Sequence, residues 1–163
     1  MLSCLVSGPL GIAWLISNSM DWRIRFAQRF NQENLFWESA WGSNCCLESE
    51  EFGIHKGLGI IQGKVRRFPV DQGLKVPHMG WNNVTLERPC PLFQGIPNGS
   101  FWYFVHSFYA DPSDKAVVTT MTDYGATFVS SIWRENVVAC QFHPEKSQSV
   151  GLRLMKNFGS WHV

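Results

Sequence analysis

The strongest constraint on the fold is a series of strand-like runs in the carboxy-terminal half of the chain. Each run is rich in β-branched and aromatic residues and is bounded by turn-forming residues, which is typical of strands. The predicted strands occupy residues 101–108, 115–122, 126–133 and 136–142. A further strand pair, broken by glycine, is predicted at 57–68. The sequence therefore indicates a domain built around a sheet.

A helix is predicted directly after the last of these strands. Ser147 can cap it, and the helix would run from about Gln148 to Phe158. Its apolar face recurs at positions i, i+3, i+4 and i+7, which hold Gly151, Leu154, Met155 and Phe158. The order strand, polar loop, helix indicates an α/β domain, in which chemistry is placed at the carboxyl ends of strands. The polar loop before this helix is therefore the first candidate site.

The composition of the whole chain excludes several functional classes. The 163 residues suffice for one domain with a real core, and a net charge of +1 without a basic block gives nucleic-acid binding no support. No run of about 18 apolar residues is present, so no membrane span is expected. Residues 1–16 imitate the apolar part of a signal peptide but lack its basic start, so export is not expected. Five cysteines, two of them adjacent, favour a reduced cytoplasmic protein over a disulfide framework.

Two side chains in the polar loop, His143 and Glu145, have the spacing of a base and the carboxylate that orients it. The imidazole would take a proton from a thiol or hydroxyl, while the carboxylate would fix its tautomer and stabilise the imidazolium. The alternative is a surface loop with incidental polar residues, which is at least as compatible with the pair by itself.

None of the cysteines is an obvious nucleophile for this base. Strand alternation puts Cys140 and His143 on opposite faces, so Cys140 is predicted to be a small buried apolar residue. Cys45 and Cys46 lack the glycine-flanked strand-to-helix turn that exposes a nucleophile. Cys90 lies in a loop bounded by prolines. The sequence as written therefore leaves the base without a partner.

A turn-prone stretch at 76–84, VPHMGWNNV, combines His78, Trp81 and Asn82. It is predicted to be a loop that contacts a substrate or a partner protein. The alternative is an ordinary turn capped by asparagine.

Residues 1–46 differ in composition from the rest of the chain. Four of the eight tryptophans and three of the five cysteines fall there, and the apolar positions fit neither helical nor strand periodicity. The following residues have the patterns of an ordinary α/β protein. We therefore predict an atypical segment at 1–46 and a domain at 47–163.

Four stretches of this domain resemble the glutaminase subunit of imidazole glycerol phosphate synthase, a class I glutamine amidotransferase of histidine biosynthesis. They are KGLGIIQGKVRRFP, VPHMGWNNV, FWYFVHSFYA and GATFVSSIWRENVVACQFHPEKSQSVGLRLMKNF. His-Pro-Glu is shared by the whole amidotransferase class, and the glycine-rich and PHMGWN stretches narrow the resemblance to this subunit. The resemblance covers residues 47–163. It implies a flavodoxin-like three-layer α/β sandwich whose amino-terminal part is missing or scrambled here.

The resemblance also implies the roles of particular residues. Such proteins hydrolyse glutamine with a Cys-His-Glu triad, use no metal or cofactor, and pass ammonia to a cyclase subunit, which is a TIM barrel. By this resemblance, His143 is the general base and Glu145 orients it. Ser107 and Phe108 would lie against bound glutamine. The residues that would face the cyclase are His78, Trp81 and Asn82.

The family's nucleophile motif, similar to Gly-Ile-Cys-Leu-Gly, and its oxyanion loop are absent from the sequence as written. Codons can be chosen for residues 34–41 that read, one nucleotide earlier, as Lys-Pro-Ile-Leu-Gly-Ile-Cys-Leu. Codons for residues 4–10 likewise give Leu-Pro-Gly-Val-Gly-Ser-Phe, which matches the oxyanion loop. We therefore expect residues 1–46 to be translated out of frame by one insertion or deletion near residues 46–48. Such a segment is not expected to form the family's native strands.

Two other interpretations stay open. The chain could be a non-enzymatic remnant, either a truncated module that binds the cyclase or a product that does not fold. It could instead be a different cysteine hydrolase that uses Cys45 or Cys46 with His143. As written, the chain is expected to lack glutaminase activity, because the survivors of a broken triad contribute little alone.

Overall fold

The computed structural model describes residues 4–6, 13–14, 35–37, 48–49, 61–69, 74–135 and 137–161, the first four ranges as backbone alone. The strands are β1 Cys4–Val6, β2 Ala13–Trp14, β3 Leu35–Trp37, β4 Glu48–Ser49, β5 Gly63–Arg67, β6 His78–Asn83, β7 Thr85–Leu86, β8 Phe101–His106, β9 Phe108–Pro112, β10 Val118–Asp123, β11 Thr127–Arg134 and β12 Val137–Cys140. Among these residues one α-helix, α1, spans Gln148–Gly159. Short 3-10 turns span Pro91–Phe93, Lys115–Val117 and Pro144–Lys146. In this part of the chain no helix has the length and apolarity needed to cross a bilayer.

Ten of the described strands form one mixed sheet. Its main order is β2-β1-β3-β12-β11-β9-β5-β4, while β10 also pairs with β11 and β7 pairs with β10. β3 runs parallel to β12 and β4 runs parallel to β5, whereas the other neighbours are antiparallel. β6 and β8 form a separate two-stranded ribbon. A mixed sheet followed by a helix agrees with the predicted α/β class.

Helix α1 packs against the 3-10 turns Pro91–Phe93 and Pro144–Lys146, and its apolar side joins the main buried cluster. Leu154 and Phe158 share one buried cluster with Cys140 and Phe142, which follow each other on one face of the chain leaving the sheet. The predicted apolar face is confirmed, since Gly151 is also buried and Met155 packs against the cluster from a partly buried position. Burial of each large apolar side chain contributes roughly 1.5–3 kcal/mol, which holds α1 against this cluster.

The strands predicted at 126–133 and 136–142 are confirmed as β11 and β12. The run at 101–108 is broken at Ser107, which separates β8 from β9. The run at 115–122 begins with a 3-10 turn, because the carboxylate of Asp114 accepts a hydrogen bond from the N–H of Ala116 at 2.9 Å. Of the strand pair predicted at 57–68, β5 is described, and residues 57–60 lie outside the described residues.

The prediction of a loop at 76–84 is wrong, because most of this stretch is strand β6. β6 pairs with β8 along its whole length, from His78 opposite His106 to Asn83 opposite Phe101. Gly80 adopts a φ of 134°, which glycine reaches without steric cost. Glycine and asparagine disfavour strands locally, but pairing with the strongly strand-forming β8 overrides this preference.

Strand β3 lies inside the segment expected to be out of frame. Its backbone runs parallel to β12, with Leu35 opposite Val137 and Trp37 opposite Ala139. The pairing shows a strand at residues 35–37 and does not identify it as a strand of the family, so the expectation for residues 1–46 stays a prediction. Backbone hydrogen bonds are available to any sequence, so the pairing does not test the reading frame. The elbow expected to be lost, at residues 38–41, lies outside the described residues.

Candidate active site

The loop that follows β12 holds His143 and Glu145 in contact. Nδ1 of His143 lies 3.0 Å from Oε1 of Glu145 across the 3-10 turn that begins at Pro144. Because a carboxylate oxygen can only accept, Nδ1 carries a proton, and in the neutral form of the ring Nε2 keeps its lone pair. The imidazole can therefore take a proton at Nε2 while the carboxylate holds its orientation.

Both side chains of this pair are partly accessible. The side chain of His143 is 16% exposed and that of Glu145 is 32% exposed. A contact in such a setting contributes little to the free energy of unfolding, since solvent screens it. What the contact provides is a fixed tautomer and ring orientation at a position that a small molecule can reach.

The backbone of Tyr103, in β8, anchors this loop through two hydrogen bonds. The N–H of His143 donates to the carbonyl of Tyr103 at 2.8 Å. The hydroxyl of Ser147 accepts from the N–H of Tyr103 at 3.1 Å and donates to the carbonyl of His143 at 2.6 Å. Ser147 stands at the predicted N-terminal cap of α1 but makes no capping hydrogen bond, because its buried hydroxyl is engaged by the loop.

Helix α1 approaches the loop closely at Gly151. An added β-carbon there would lie 1.8 Å from the carbonyl oxygen of Pro144, a distance that no side chain can occupy. Helical periodicity places Gly151 on the apolar face without revealing this contact. The sequence could have indicated this contact, because a glycine inside an otherwise regular helix often marks close packing.

The described cysteine side chains are poorly placed as nucleophiles. Cys140 is 1% exposed and belongs to the core cluster, which confirms its prediction as a buried apolar residue. Cys90 is buried as well, and burial raises the pKa of its thiol, which disfavours the reactive thiolate. Cys45 and Cys46 lie outside the described residues.

Ser107 and Phe108 lie at the junction between β8 and β9, and both are half-buried. The carbonyl of Ser107 accepts from the N–H of Phe68 at 3.0 Å. The carbonyl of Phe108 lies 2.8 Å from Nδ1 of His106, a residue that the sequence patterns did not single out. Strand alternation in FWYFVHSF could have identified His106 as a buried residue, because it shares the inward face with Trp102 and Phe104.

The three residues predicted to face a partner divide between the two faces of β6. Trp81 is 46% exposed and lies opposite Tyr103 of β8, with their rings 5.9 Å apart. His78 is 3% exposed and points inward, and Asn82 shares its face at an intermediate exposure. The outer face of the β6–β8 ribbon also carries Met79 and Phe101, each 60% exposed. Trp81 can therefore touch another molecule directly, while His78 cannot.

Within the described residues, no group of three or more histidine, cysteine, aspartate or glutamate side chains is arranged to hold a metal ion.

Comparison with known proteins places the chain in a family. Residues 46–160 match the family model for glutamine amidotransferase class-I. Among curated relatives, the imidazole glycerol phosphate synthase subunit HisH of Syntrophotalea carbinolica is 61% identical over 117 residues, covering 69% of this chain and 57% of that protein. HisH of Desulfitobacterium hafniense is 50% identical, with coverages of 69% and 52%. HisH of Geobacter sulfurreducens is 49% identical, with coverages of 69% and 56%.

The chain thus spans little more than half the length of these relatives. A solved structure of a putative GMP synthase subunit from Thermoplasma acidophilum aligns at 19% identity and a TM-score of 0.49, covering 60% of this chain and 47% of that one. Likeness at this level carries no functional conclusion. The three-layer arrangement stays a prediction, since the described residues contain one α-helix. The family match covers most of the sequence and includes the His-Pro-Glu loop, so the chain belongs to the class-I glutamine amidotransferase family.

Proposed function

We propose that this chain corresponds to the glutaminase subunit of imidazole glycerol phosphate synthase, which hydrolyses glutamine and supplies ammonia to a cyclase subunit in histidine biosynthesis. The observation that carries the proposal is the hydrogen-bonded pair of His143 and Glu145 at the carboxyl end of β12. The names and identities of the HisH relatives support the same assignment. This function also implies a cytoplasmic protein.

The proposed chemistry is acyl transfer through a cysteine thiol. Nε2 of His143 takes the thiol proton, and the sulfur attacks the side-chain amide carbon of glutamine. The C–N bond breaks as His143 returns the proton to the leaving ammonia, and water then hydrolyses the thioester to release glutamate. Glu145 stabilises the imidazolium that forms between these transfers, because its carboxylate lies 3.0 Å from Nδ1.

Ser107 and Phe108 are proposed to contact bound glutamine. Their carbonyls are held by the N–H of Phe68 and by the ring of His106, so the segment has a fixed backbone. Its half-buried position between β8 and β9 suits a residue pair that lines a site. Tyr103, in β8, hydrogen-bonds to the His143 loop, so the base and the segment are both attached to β8.

The outer face of the β6–β8 ribbon is proposed to bind the cyclase, expected to be a TIM barrel. Met79, Trp81 and Phe101 expose large apolar surfaces there, and exposed aromatic residues are frequent anchors of protein interfaces. Lys146 extends this face, since its Nζ lies 5.8 Å from the ring centroid of Tyr103. His78 and Asn82 are assigned to the same interface by resemblance. They lie on the opposite, inward face of β6 and would support the interface without touching the cyclase directly.

The nucleophile is proposed to be a cysteine encoded one nucleotide out of frame within residues 34–41. Strand β3, at residues 35–37, runs parallel to β12. A cysteine encoded in this segment would therefore lie beside the strand that leads to His143. The chain as written is then inactive, because it retains the base and its orienter but lacks the nucleophilic cysteine and the oxyanion loop. Loss of triad members costs on the order of a million-fold in turnover in a serine hydrolase.

The test is glutamate release from glutamine by purified chains mixed with the cyclase and its nucleotide substrate. The chain as written is expected to show no release, the frame-restored chain to be active, and His143→Ala of the restored chain to be inactive. Release by the written chain near the rate of the restored chain would refute the proposed inactivity.

The alternatives are separated by the same assay. A remnant that binds the cyclase predicts that the written chain co-purifies with the cyclase and releases no glutamate. A different hydrolase predicts activity of the written chain that Cys45→Ser or Cys46→Ser abolishes. Resequencing the gene around codon 46 decides whether one inserted or deleted nucleotide separates the two reading frames.

A further inference from the structure

Two buried histidines outside the proposed triad are joined ring to ring. Nδ1 of His78, in β6, lies 2.9 Å from Nε2 of His106, at the end of β8. Each residue is 3% exposed. The mechanism proposed above uses neither ring. In a buried pair of this kind each ring nitrogen must be either a hydrogen-bond donor or an acceptor, which depends on the tautomer.

The hydrogen-bond partners determine the tautomer of each ring. The carbonyl of Phe108 can only accept, so Nδ1 of His106 carries a proton. Burial lowers the pKa of His106 to about 3 and that of His78 to about 4, so both rings are neutral near pH 7. Nε2 of His106 therefore accepts, and Nδ1 of His78 donates to it. Nε2 of His78 is left as an acceptor, 3.4 Å from the amide nitrogen of Asn82.

The result is a directed chain of hydrogen bonds through the interior. It starts at the amide of Asn82, which also donates to the carbonyl of Asp123 at 2.7 Å, and it ends at the carbonyl of Phe108. Asn82 is the neighbour of Trp81 on the exposed ribbon. Phe108 belongs to the junction between β8 and β9.

The surrounding rings restrict the movement of this chain of hydrogen bonds. His78 is stacked between Phe104 and Tyr124, with ring centroids 4.8 and 4.0 Å away. His106 meets the rings of Phe68 and Phe128 at 5.2 and 5.1 Å. These ring contacts leave the His78 ring little room to rotate. A displacement of His78 is therefore expected to move His106 through the hydrogen bond between the two rings.

We propose that His78 and His106 are positioning residues, whose hydrogen bonds fix the Phe108 carbonyl, and with it the Ser107–Phe108 segment, relative to strand β6. That this segment contacts glutamine and that the ribbon contacts the cyclase rests on the proposed function. The positioning itself rests on the geometry of the two rings, so the two claims can fail separately.

The first test measures the tautomers in the unaltered chain by long-range nitrogen–proton NMR of the imidazoles at neutral pH. Both rings are expected as Nδ1–H tautomers, with Nε2 unprotonated. An Nε2–H tautomer at His106, or a charged ring at either position, overturns the proposal.

The second test separates hydrogen bonding from ring packing with two substitutions at one position. His78→Phe keeps the stacked ring and removes the donor, while His78→Asn loses the ring and keeps an amide donor near the position of Nδ1. In the positioning account, His78→Phe shifts the amide resonances of Ser107 and Phe108 and speeds exchange of the Phe68 N–H, and His78→Asn restores much of both. Equal behaviour of His78→Phe and the unaltered chain shows that packing alone holds the segment, and contradicts the proposal.

The frame-restored chain with its cyclase supplies a functional readout. His78→Phe is expected to raise KM for glutamine about tenfold and to change kcat less, with partial recovery in His78→Asn. An unchanged KM in His78→Phe contradicts the proposal. If the restored chain without further substitution releases no glutamate, the proposed function fails, and the tautomers and exchange rates still decide the positioning role.

Discussion

A β-carbon on Gly151 would lie 1.8 Å from the carbonyl oxygen of Pro144. The glycine thus sets how closely helix α1 approaches the loop that carries His143 and Glu145. Sequence periodicity places Gly151 on the buried face, but the partner in this contact is backbone, which cannot rotate away as a side chain could.

Gly151→Ala is therefore expected to displace the loop. The added methyl group must push Pro144 away from α1, which disturbs the contact between His143 and Glu145. Overpacking of this kind costs roughly 1–3 kcal/mol of unfolding free energy. Urea unfolding measures the cost, and NMR of the His143 ring reports the loss of its carboxylate partner.

The matched control is Gly159→Ala at the other end of α1. An added β-carbon there has no neighbour within 4 Å. Since alanine has the higher helix propensity, stability is expected to change by less than about 1 kcal/mol. Equal effects of the two substitutions would show that the close contact with Pro144 is not what Gly151 provides.

Ser147→Ala is expected to loosen the same loop by another route. The substitution removes the acceptor of the Tyr103 N–H and a donor to the carbonyl of His143, at a site that is 1% exposed. A buried polar group left without a partner costs about 1–3 kcal/mol. Thermal and urea unfolding measure this loss.

Ser160→Ala is the control, because its hydroxyl also bonds to backbone carbonyls but is exposed. Its effect is expected to stay within about 0.5 kcal/mol. A loss of stability in Ser147→Ala no greater than in Ser160→Ala would contradict the anchoring role.

The buried histidine pair predicts a loss of stability in mild acid. The ordinary pKa is 6.5, and burial lowers it to about 4 for His78 and about 3 for His106. Below pH 6.5 the unfolded chain binds protons that the folded chain excludes, so this stability is present above pH 6.5 and is lost as the pH falls towards 4 and then 3. The loss for His78 alone is on the order of 2–3 kcal/mol by about pH 4.

Urea unfolding between about pH 7 and pH 4 measures this slope. His78→Asn removes one titrating ring and is expected to flatten it. The pKa of Asp111 is lowered below 3.8 by its hydrogen bonds to Lys115 and Arg66, so this carboxyl titrates below the window. A slope unchanged in His78→Asn would mean that other groups cause the acid sensitivity.

Trp81→Ala tests the proposed interface. The side chain is 46% exposed, so its removal is expected to leave the unfolding free energy nearly unchanged. If the ribbon binds the cyclase, the Kd for the cyclase should rise about 10- to 100-fold, as for an aromatic anchor. Titration calorimetry with the purified cyclase measures the Kd.

Leu152→Ala is the control for Trp81→Ala. Leu152 is 65% exposed and belongs to α1, not to the β6–β8 ribbon, and its removal is expected to leave the Kd unchanged. An unaltered Kd in Trp81→Ala would place the cyclase on another surface.

Local patterns predict some elements well and others poorly. Residue type and periodicity predict β11, β12 and α1, since each is dominated by residues whose preference agrees with its environment. For β6 they predict a loop, because its glycine and asparagines oppose the strand that pairing with β8 imposes. They also predict a helix cap at Ser147, whereas the hydroxyl bonds to Tyr103, which is 44 residues away in the sequence.

The sequence by itself determined the α/β class, the position of α1 and the burial of Cys140, because each depends on residues that are neighbours along the chain. The pairing of His143 with Glu145 was expected from the family resemblance, since their spacing alone left a surface loop equally open. The tertiary structure decided which face of β6 carries Trp81 and which carries His78, how closely Gly151 approaches Pro144, and that His78 meets His106 across 28 residues. These relationships depend on strand register and interelement distance. Both are set when distant segments pack together, and neither leaves a periodic signal in the sequence.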